Sequence, residues 1–278
     1  MKRPARVAAI HDMSGFGRCS LTVVLPVLGA MGAECCPLPT AFLSAQTAFP
    51  KSDRAVFLDM TDQLARTGSH WQELGAEFDA IYSGFLGSET QIGLIGEFIR
   101  TFRRENTLVV VDPVMGDWGK PYRTYTPDLC RRMGELAEYA DVITPNLTEA
   151  AILLGEEYDP NPGEAAVCRW LDRLSMDGKR SVVITGVRPQ EGFVGAACFD
   201  RETGRVSVPV AKQEPGEYSG TGDLFASVML GALLRGEDLH TATALAVDFV
   251  QRCAAFTNGL GGDKREGVMF ERLLKELV

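Results

Sequence analysis

Residues 108–117 read Leu-Val-Val-Val-Asp-Pro-Val-Met-Gly-Asp, a short β-branched run that stops at a carboxylate, a proline and a glycine. Such a run reads as a strand covered on both faces. Similar runs at Arg6–Ile10, Asp141–Ile143 and Ser181–Ile184 also end in polar or glycine-rich residues. Among them, helical spacing covers Phe57–Leu74, Gln91–Arg104, Asp128–Tyr139, Glu164–Met176, Leu224–Leu234 and Ala242–Phe256. The alternation predicts an α/β fold, a mostly parallel central sheet with helices on both faces. Phe193–Phe199 and Arg205–Val210, joined through Glu202-Thr-Gly204, predict an antiparallel hairpin at one edge of the sheet. No internal repeat, low-complexity tract or Pro/Gly/Ser-rich linker is present, so residues 1–278 are expected to form one domain.

Composition narrows the function. The 278 residues carry 28 basic and 37 acidic side chains, a net charge of −9, which gives no electrostatic footprint for nucleic acid. The seven cysteines contain no CxxC pair, and with three histidines neither a zinc cluster nor HExxH can be assembled. Adjacent Cys35 and Cys36 read as small hydrophobes in a strand, and free thiols fit a reducing compartment. The apolar stretch in MKRPARVAAIHDM is shorter than a signal-peptide core, and the run from Leu21 to Ala33 is broken by Thr22, Pro26 and two glycines. A cytoplasmic location with no membrane partner is expected.

In open parallel sheets the loops beyond the carboxyl ends of the strands form the ligand crevice. Polar clusters follow four of the apolar runs: His11-Asp-Met-Ser-Gly-Phe-Gly17, Asp112-Pro-Val-Met-Gly-Asp117, Thr144-Pro-Asn-Leu-Thr-Glu149 and Thr185-Gly186. A fifth segment, Ser219-Gly-Thr-Gly-Asp-Leu-Phe225, opens an apolar helix. Its glycines let backbone amides approach an anion, and the helix dipole favours negative charge there. Asp223 in the first turn is either a carboxylate aimed at the same space or an ordinary cap. Asp112, Asp117, Asn146 and Glu149 offer hard oxygen ligands suited to magnesium. The pair Asn146 and Glu149 share a face if a helix begins at Pro145; alternatively Thr144 caps that helix and Glu149 is a first-turn carboxylate. GxxxxGK followed by Ser or Thr, a completed GxGxxG and GxSxG are all absent. Gly119-Lys-Pro-Tyr-Arg123 reads as a lid or a plain loop, and Thr257–Lys264 as an adenine border or a helix-to-helix turn.

Asp112-Pro-Val-Met-Gly116, Thr144-Pro-Asn-Leu-Thr-Glu149 and Gly220-Thr-Gly-Asp223, in that order and spacing, resemble the ribokinase superfamily and, within it, the pyridoxal kinase family of vitamin kinases. Ser83-Gly-Phe-Leu-Gly-Ser88 and Pro39-Thr40, followed by Ser44 and Thr47, are similar to that family's segments at matching places. The resemblance spans nearly the whole chain. Its DPVMG segment is specific to vitamin kinases, whereas the GTGD-like loop is shared with sugar and nucleoside kinases. It implies a ribokinase-like fold and ATP-dependent phosphorylation of a ring hydroxymethyl group, that of pyridoxal, pyridoxine or pyridoxamine in vitamin B6 salvage.

Carried over by position, the resemblance makes Asp223 the catalytic base and Gly220, Thr221 and Gly222 its anion hole. A helix-terminal location is expected to keep Asp223 ionised. Asn146 and Glu149 resemble residues that organise Mg2+, with Asp112 and Asp117 beside the phosphates. The region of Asp117, Thr144 and Glu149 resembles one that also holds a monovalent cation, K+ or Na+. Thr185 and Lys212 match nucleotide contacts, Asp12, Thr40 and Phe85 fall where the family meets the substrate ring, and a homodimer is implied. Two positions depart from the family pattern: Asp12 stands where serine is common and Phe85 where tyrosine is common. Asp12–Gly17 is instead similar to the opening of hydroxymethylpyrimidine kinases. A hydroxymethylpyrimidine (phosphate) kinase of thiamine synthesis, or a dual-specificity enzyme, is therefore the alternative, and a non-catalytic vitamin-binding protein on the same scaffold a third. An aspartate at position 12 is expected to favour pyridoxine or pyridoxamine over pyridoxal.

Overall fold

The computed structural model describes residues 3–50, 52–123 and 125–278. In chain order the elements are β1 (Arg6–Ser14), α1 (Leu21–Ala30), β2 (Glu34–Leu43), β3 (Phe57–Asp59), α2 (Thr61–Glu73), β4 (Ala80–Ser83), α3 (Thr90–Phe102) and β5 (Leu108–Val111). They continue with β6 (Gly116–Asp117), β7 (Lys120–Pro121), α4 (Pro127–Ala137), β8 (Val142–Ile143), α5 (Leu147–Leu154), α6 (Glu164–Leu174) and β9 (Ser181–Val187). The last are β10 (Phe193–Asp200), β11 (Arg205–Ser207), β12 (Val210–Lys212), α7 (Thr221–Leu234) and α8 (Leu239–Leu260).

The main sheet runs β11-β10-β9-β8-β5-β4-β1-β2-β3, with β12 also paired to β10. Pairs from β2 through β1, β4, β5 and β8 to β9 are parallel. Alternate side chains of each strand enter different cores. Val109 and Val111 pack with α2 to α6 on one face, while Val110 joins α1, α7 and α8 on the other. All three valines are fully buried, each contributing about 1.5–3 kcal/mol. A run with no polar alternation is what a strand packed on two faces requires.

Antiparallel pairing closes both edges of the sheet, not one. The expected hairpin is present, with Cys198 opposite Ser207. Its second arm is split, however, because Pro209 has no N–H for the ladder. The chain breaks there and β12 resumes against Phe193–Gly195. At the other edge Phe57–Asp59, expected to open a helix, pairs antiparallel with β2, and α2 starts only at Thr61. The first strand also runs four residues past Ile10. It pairs with β2 as far as Leu43 across a register shift between His11 and Met13. Asp12 therefore sits at an in-strand irregularity that re-aims its side chain, not in a loop after the strand. No helix among the described residues is long and apolar enough to cross a membrane, and the seven cysteines are free thiols, with Cys35 and Cys36 half-buried on β2.

Candidate active site

Parallel strands deliver their carboxyl ends to one side, and a cavity of about 770 Å³ opens there. That volume lies in the upper part of the range for small-molecule sites, roughly 300–1,000 Å³. Its wall includes Asp12, Asp112, Asp117, Asn146, Glu149 and Asp223, from segments more than two hundred residues apart in sequence. Thr144, Thr185, Lys212, Phe85 and Gly220-Thr-Gly222 line it as well. One expected residue is not brought in. Thr40 is fully buried away from the lining, its hydroxyl donating to the Phe85 carbonyl at 2.8 Å.

The glycine loop is shaped by its conformation. Gly220 has φ +75° and a Cβ there would collide with the Arg18 carbonyl oxygen, so both backbone and packing demand glycine. Helix α7 then begins at Thr221, and among the described residues no side chain caps its first amides. The capping alternative for Asp223 is thereby overturned. Its Oδ2 instead accepts the Ser20 backbone N–H at 2.7 Å. Ser20 is held at φ +48°, a left-handed conformation unusual for serine and characteristic of functional sites. Burial pushes the Asp223 carboxyl up to about 7, against the Ser20 hydrogen bond and reinforced by the charge of Asp12. Burial thus opposes the ionisation expected of Asp223 from its helix-terminal location.

Helix α5 starts two residues later than expected, at Leu147, and Asn146 rather than Thr144 is its cap. Asn146 Oδ1 accepts the N–H groups of Thr148 and Glu149, and Glu149 Oε2 accepts the Asn146 N–H at 2.8 Å, a reciprocal capping box. The same two side chains fix the neighbouring strand-end segment. Glu149 Oε1 takes the Met115 N–H at 3.0 Å, and Asn146 Nδ2 donates to the Gly116 carbonyl at 2.8 Å. The structural and functional readings of this pair therefore coexist. Each Glu149 oxygen takes one amide and retains a lone pair, and burial raises its carboxyl to about 8. Asp112 is raised well above the usual carboxylate range by burial, then by the charges of Glu149 and Asp223. Asp12 is raised by burial too, while the Ser14 hydroxyl donates to its Oδ2 at 2.8 Å. Among the described residues no three His, Cys, Asp or Glu side chains converge as a metal cluster.

The segment expected as lid or loop is the tight hairpin β6–β7, turning through Trp118 and Gly119, both at positive φ. Thr148 Oγ1 accepts the Gly119 N–H at 2.9 Å, and the Arg188 guanidinium lies over the Trp118 ring at 5.1 Å. Arg123 donates to the carbonyls of Thr47 and Phe49 at 3.1 and 3.4 Å, tying the hairpin side of the mouth to the 44–50 loop. Thr257 to Leu260 are the last residues of α8, and Lys264 beyond them reaches the cavity wall. Sequence reasoning missed Ser20, Gln46, Trp118, Arg188 and Tyr218, which also line the cavity. Only Ser20 carries a partial signal, its place just before the apolar run of α1.

Against this geometry the comparisons are consistent. The family model described as phosphomethylpyrimidine kinase matches residues 73–268. A Bacteroides thetaiotaomicron structure, described provisionally as a phosphomethylpyrimidine kinase and solved in a crystal form with pyridoxal, is 39% identical with a TM-score of 0.94, covering 99% of this chain and 96% of that one. Pyridoxal kinase from Lactobacillus plantarum is 33% identical with a TM-score of 0.89, over 98% of this chain and 96% of that chain. A curated relative, the pyridoxine/pyridoxal/pyridoxamine kinase of Bordetella avium, is 28% identical over 90% of this chain and 85% of its own length. The chain is thus a member of the ribokinase superfamily and, within it, belongs to the pyridoxal kinase family covered by the phosphomethylpyrimidine kinase model.

Proposed function

We propose that the protein transfers the γ-phosphoryl group of ATP to the 5′-hydroxymethyl group of a vitamin B6 vitamer, as one kinase domain spanning residues 1–278. The observation that carries the reading is Asp223 at the uncapped amino terminus of α7, in a cavity shared with Asp112, Asn146 and Glu149. Likeness above 30% identity to a pyridoxal kinase supports the same chemistry.

The loop amides of Thr221 and Gly222 stabilise charge developing on the transferring phosphoryl group. Asp223 accepts the hydroxyl proton late, as the loose transition state collapses onto the acceptor oxygen. Thr185 and Lys212 in the cavity wall suit the nucleotide, and Asp12 with Phe85 the vitamer ring. Glu149 and Asp117, whose carboxylate oxygens retain free lone pairs, would hold magnesium, and Asn146, its Oδ1 already accepting two backbone amides, would position Glu149 beside it. When bound, the ion neutralises charge at the phosphates. Thr144 and Asp117 suit a monovalent cation. Arg123, donating to the Thr47 and Phe49 carbonyls, restrains a loop whose residues Gln46, Thr47 and Ala48 line the cavity.

A hydroxymethylpyrimidine kinase is the second reading, favoured by the description of the family model and by Asp12–Gly17. Steady-state assay of pyridoxal, pyridoxine, pyridoxamine and hydroxymethylpyrimidine with MgATP decides between them. ADP release driven by a B6 vitamer supports the first reading; turnover confined to the pyrimidine overturns it. The reading takes the enzyme to be a cytoplasmic homodimer, checked by light scattering and fractionation.

A further inference from the structure

Residues 7, 9 and 11 of β1 face α1, α7 and α8. The first two are the core residues Val7 and Ala9, and the third is His11. The imidazole is fully buried and, among the described residues, neither ring nitrogen has a hydrogen-bond partner. Leaving a buried N–H unpaired opposes folding, a cost that an aliphatic residue at this core position would avoid. Tyr82 of β4 packs against the ring edge-on, with centroids 4.3 Å apart, and the Gly84 backbone lies so close that a Cβ would collide with the ring. The ring Nδ1 lies 3.8 Å from Asp223 Oδ1.

We propose that His11 is a positioning residue for the phosphotransfer base, presenting Nδ1–H to Asp223 Oδ1 while Ser20 N–H holds Oδ2. The proposal rests on Asp223 being that base. The present separation is about 1 Å beyond a normal N–H···O bond, and catalytic hydrogen bonds that are long in the free enzyme tighten with substrates bound. Burial keeps the imidazole neutral, lowering its pKa to about 3, so it carries one N–H throughout. In the transfer the acceptor oxygen bonds to phosphorus, the bond to the β-phosphate oxygen breaks, and the hydroxyl proton goes to Asp223; His11 neither gains nor loses a proton. The other titratable groups facing Asp223 are Asp12 from β1, Cys19 before α1, Tyr82 from β4, Asp112 after β5 and Tyr122 after β7, with Glu149 of α5 acting on Asp112. The acids among them oppose charge on Asp223, whereas a donated N–H favours it.

The test is the pH profile of kcat/KM for the vitamer in wild type, His11→Leu and His11→Gln. Loss of the donor in His11→Leu should move the acid limb upward by about one pH unit, a tenfold loss on that limb that fades at alkaline pH. His11→Gln, which retains an N–H donor, should return the limb toward wild type. Coincident limbs in wild type and a folded His11→Leu overturn the proposal. If that variant does not fold, ring 15N spectra of wild type with MgADP and pyridoxine decide. A neutral Nδ1–H tautomer whose proton signal shifts in Asp223→Asn supports the proposal, and an Nε2–H tautomer overturns it. Asp223→Asn with near-normal turnover would instead sink the base itself, so the two failures are distinguishable.

Discussion

Replacing Asp223 with Asn should make the protein slower and also more stable, and the second effect carries a definite pH dependence. Burial raises this carboxyl from its usual 3.8 to about 7. Below about pH 4 it is protonated in folded and unfolded chains alike and contributes nothing. Between about 4 and 7 the unfolded chain releases the proton while the folded chain keeps it. Each pH unit then costs the fold about 1.4 kcal/mol. Above about 7 the cost is complete, ~4 kcal/mol as an upper bound, since the side chain is 13% exposed and water relieves part of it. Asn has no proton to release and retains an oxygen for the Ser20 N–H. Urea unfolding of both proteins across this pH range should give a stability difference near zero at the acid end that grows in favour of the variant by a few kcal/mol. Turnover should fall about 10²–10⁴-fold, with ligand affinities within a few-fold of wild type. A stability difference that stays flat with pH would refute the buried, uncharged-at-acid-pH environment. Near-normal turnover would refute the role of Asp223 as base.

Gly220→Ala should destabilise the fold by at least about 1–2 kcal/mol from the left-handed backbone alone, and the clash with Arg18 should displace the loop amides; thermal melting and KM for ATP read the two effects. Glu149→Gln keeps an acceptor for only one of the amides of Asn146 and Met115 and removes the charge, so half-maximal activity should need about tenfold more Mg2+, while an unchanged Mg2+ titration would exclude Glu149 as a ligand. In wild type that titration should tighten as pH rises through about 8, where Glu149 loses its proton. Asp12→Ser should raise kcat/KM for pyridoxal relative to pyridoxine and pyridoxamine, and unchanged vitamer ratios would remove Asp12 from substrate choice.

What the sequence revealed depended on whether a residue's role is written locally. The strands β5 and β9 were legible because an apolar run buried on two faces needs no alternation, and the polar clusters after them were legible as a site because parallel strands point one way. Helix α1 was obscured by Pro26 and Gly29, which lower helix propensity yet are tolerated where the helix is held by packing. Strand β4 is as long as β5 but reads Ala-Ile-Tyr-Ser, without the β-branched run that marks β5. Phe57–Asp59 shares an apolar pattern with the helix that follows, and only pairing with Ala41–Leu43 makes it a strand. At the site, Asn146 and Glu149 were found as a pair, but their spacing also encodes a capping box, and the structure uses them for that as well. Thr40 was carried over from the resemblance alone, and it lies inside β2 with its hydroxyl donated to the Phe85 carbonyl rather than in the cavity wall. Ser20 and His11 act through partners about two hundred residues away, so no local pattern could announce them.

One physical term links these findings. Asp12, Asp112, Glu149 and Asp223 are each raised chiefly by burial, and crowding them around one cavity opposes folding at neutral pH. Neutral core residues in these places would be more stable, as the all-apolar stretch of β5 beside them illustrates. The two cores on the sheet faces carry that cost, and it has a return at the site itself. Carboxylates held in a desolvated wall keep protons near neutrality and respond strongly to any positive charge that enters. A magnesium nucleotide bound there would favour the ionised forms of Asp112, Glu149 and Asp223 and offset the repulsion among them. The same desolvation leaves Asp223 a stronger base than an exposed aspartate, which suits it to take a proton from an alcohol as phosphoryl transfer completes.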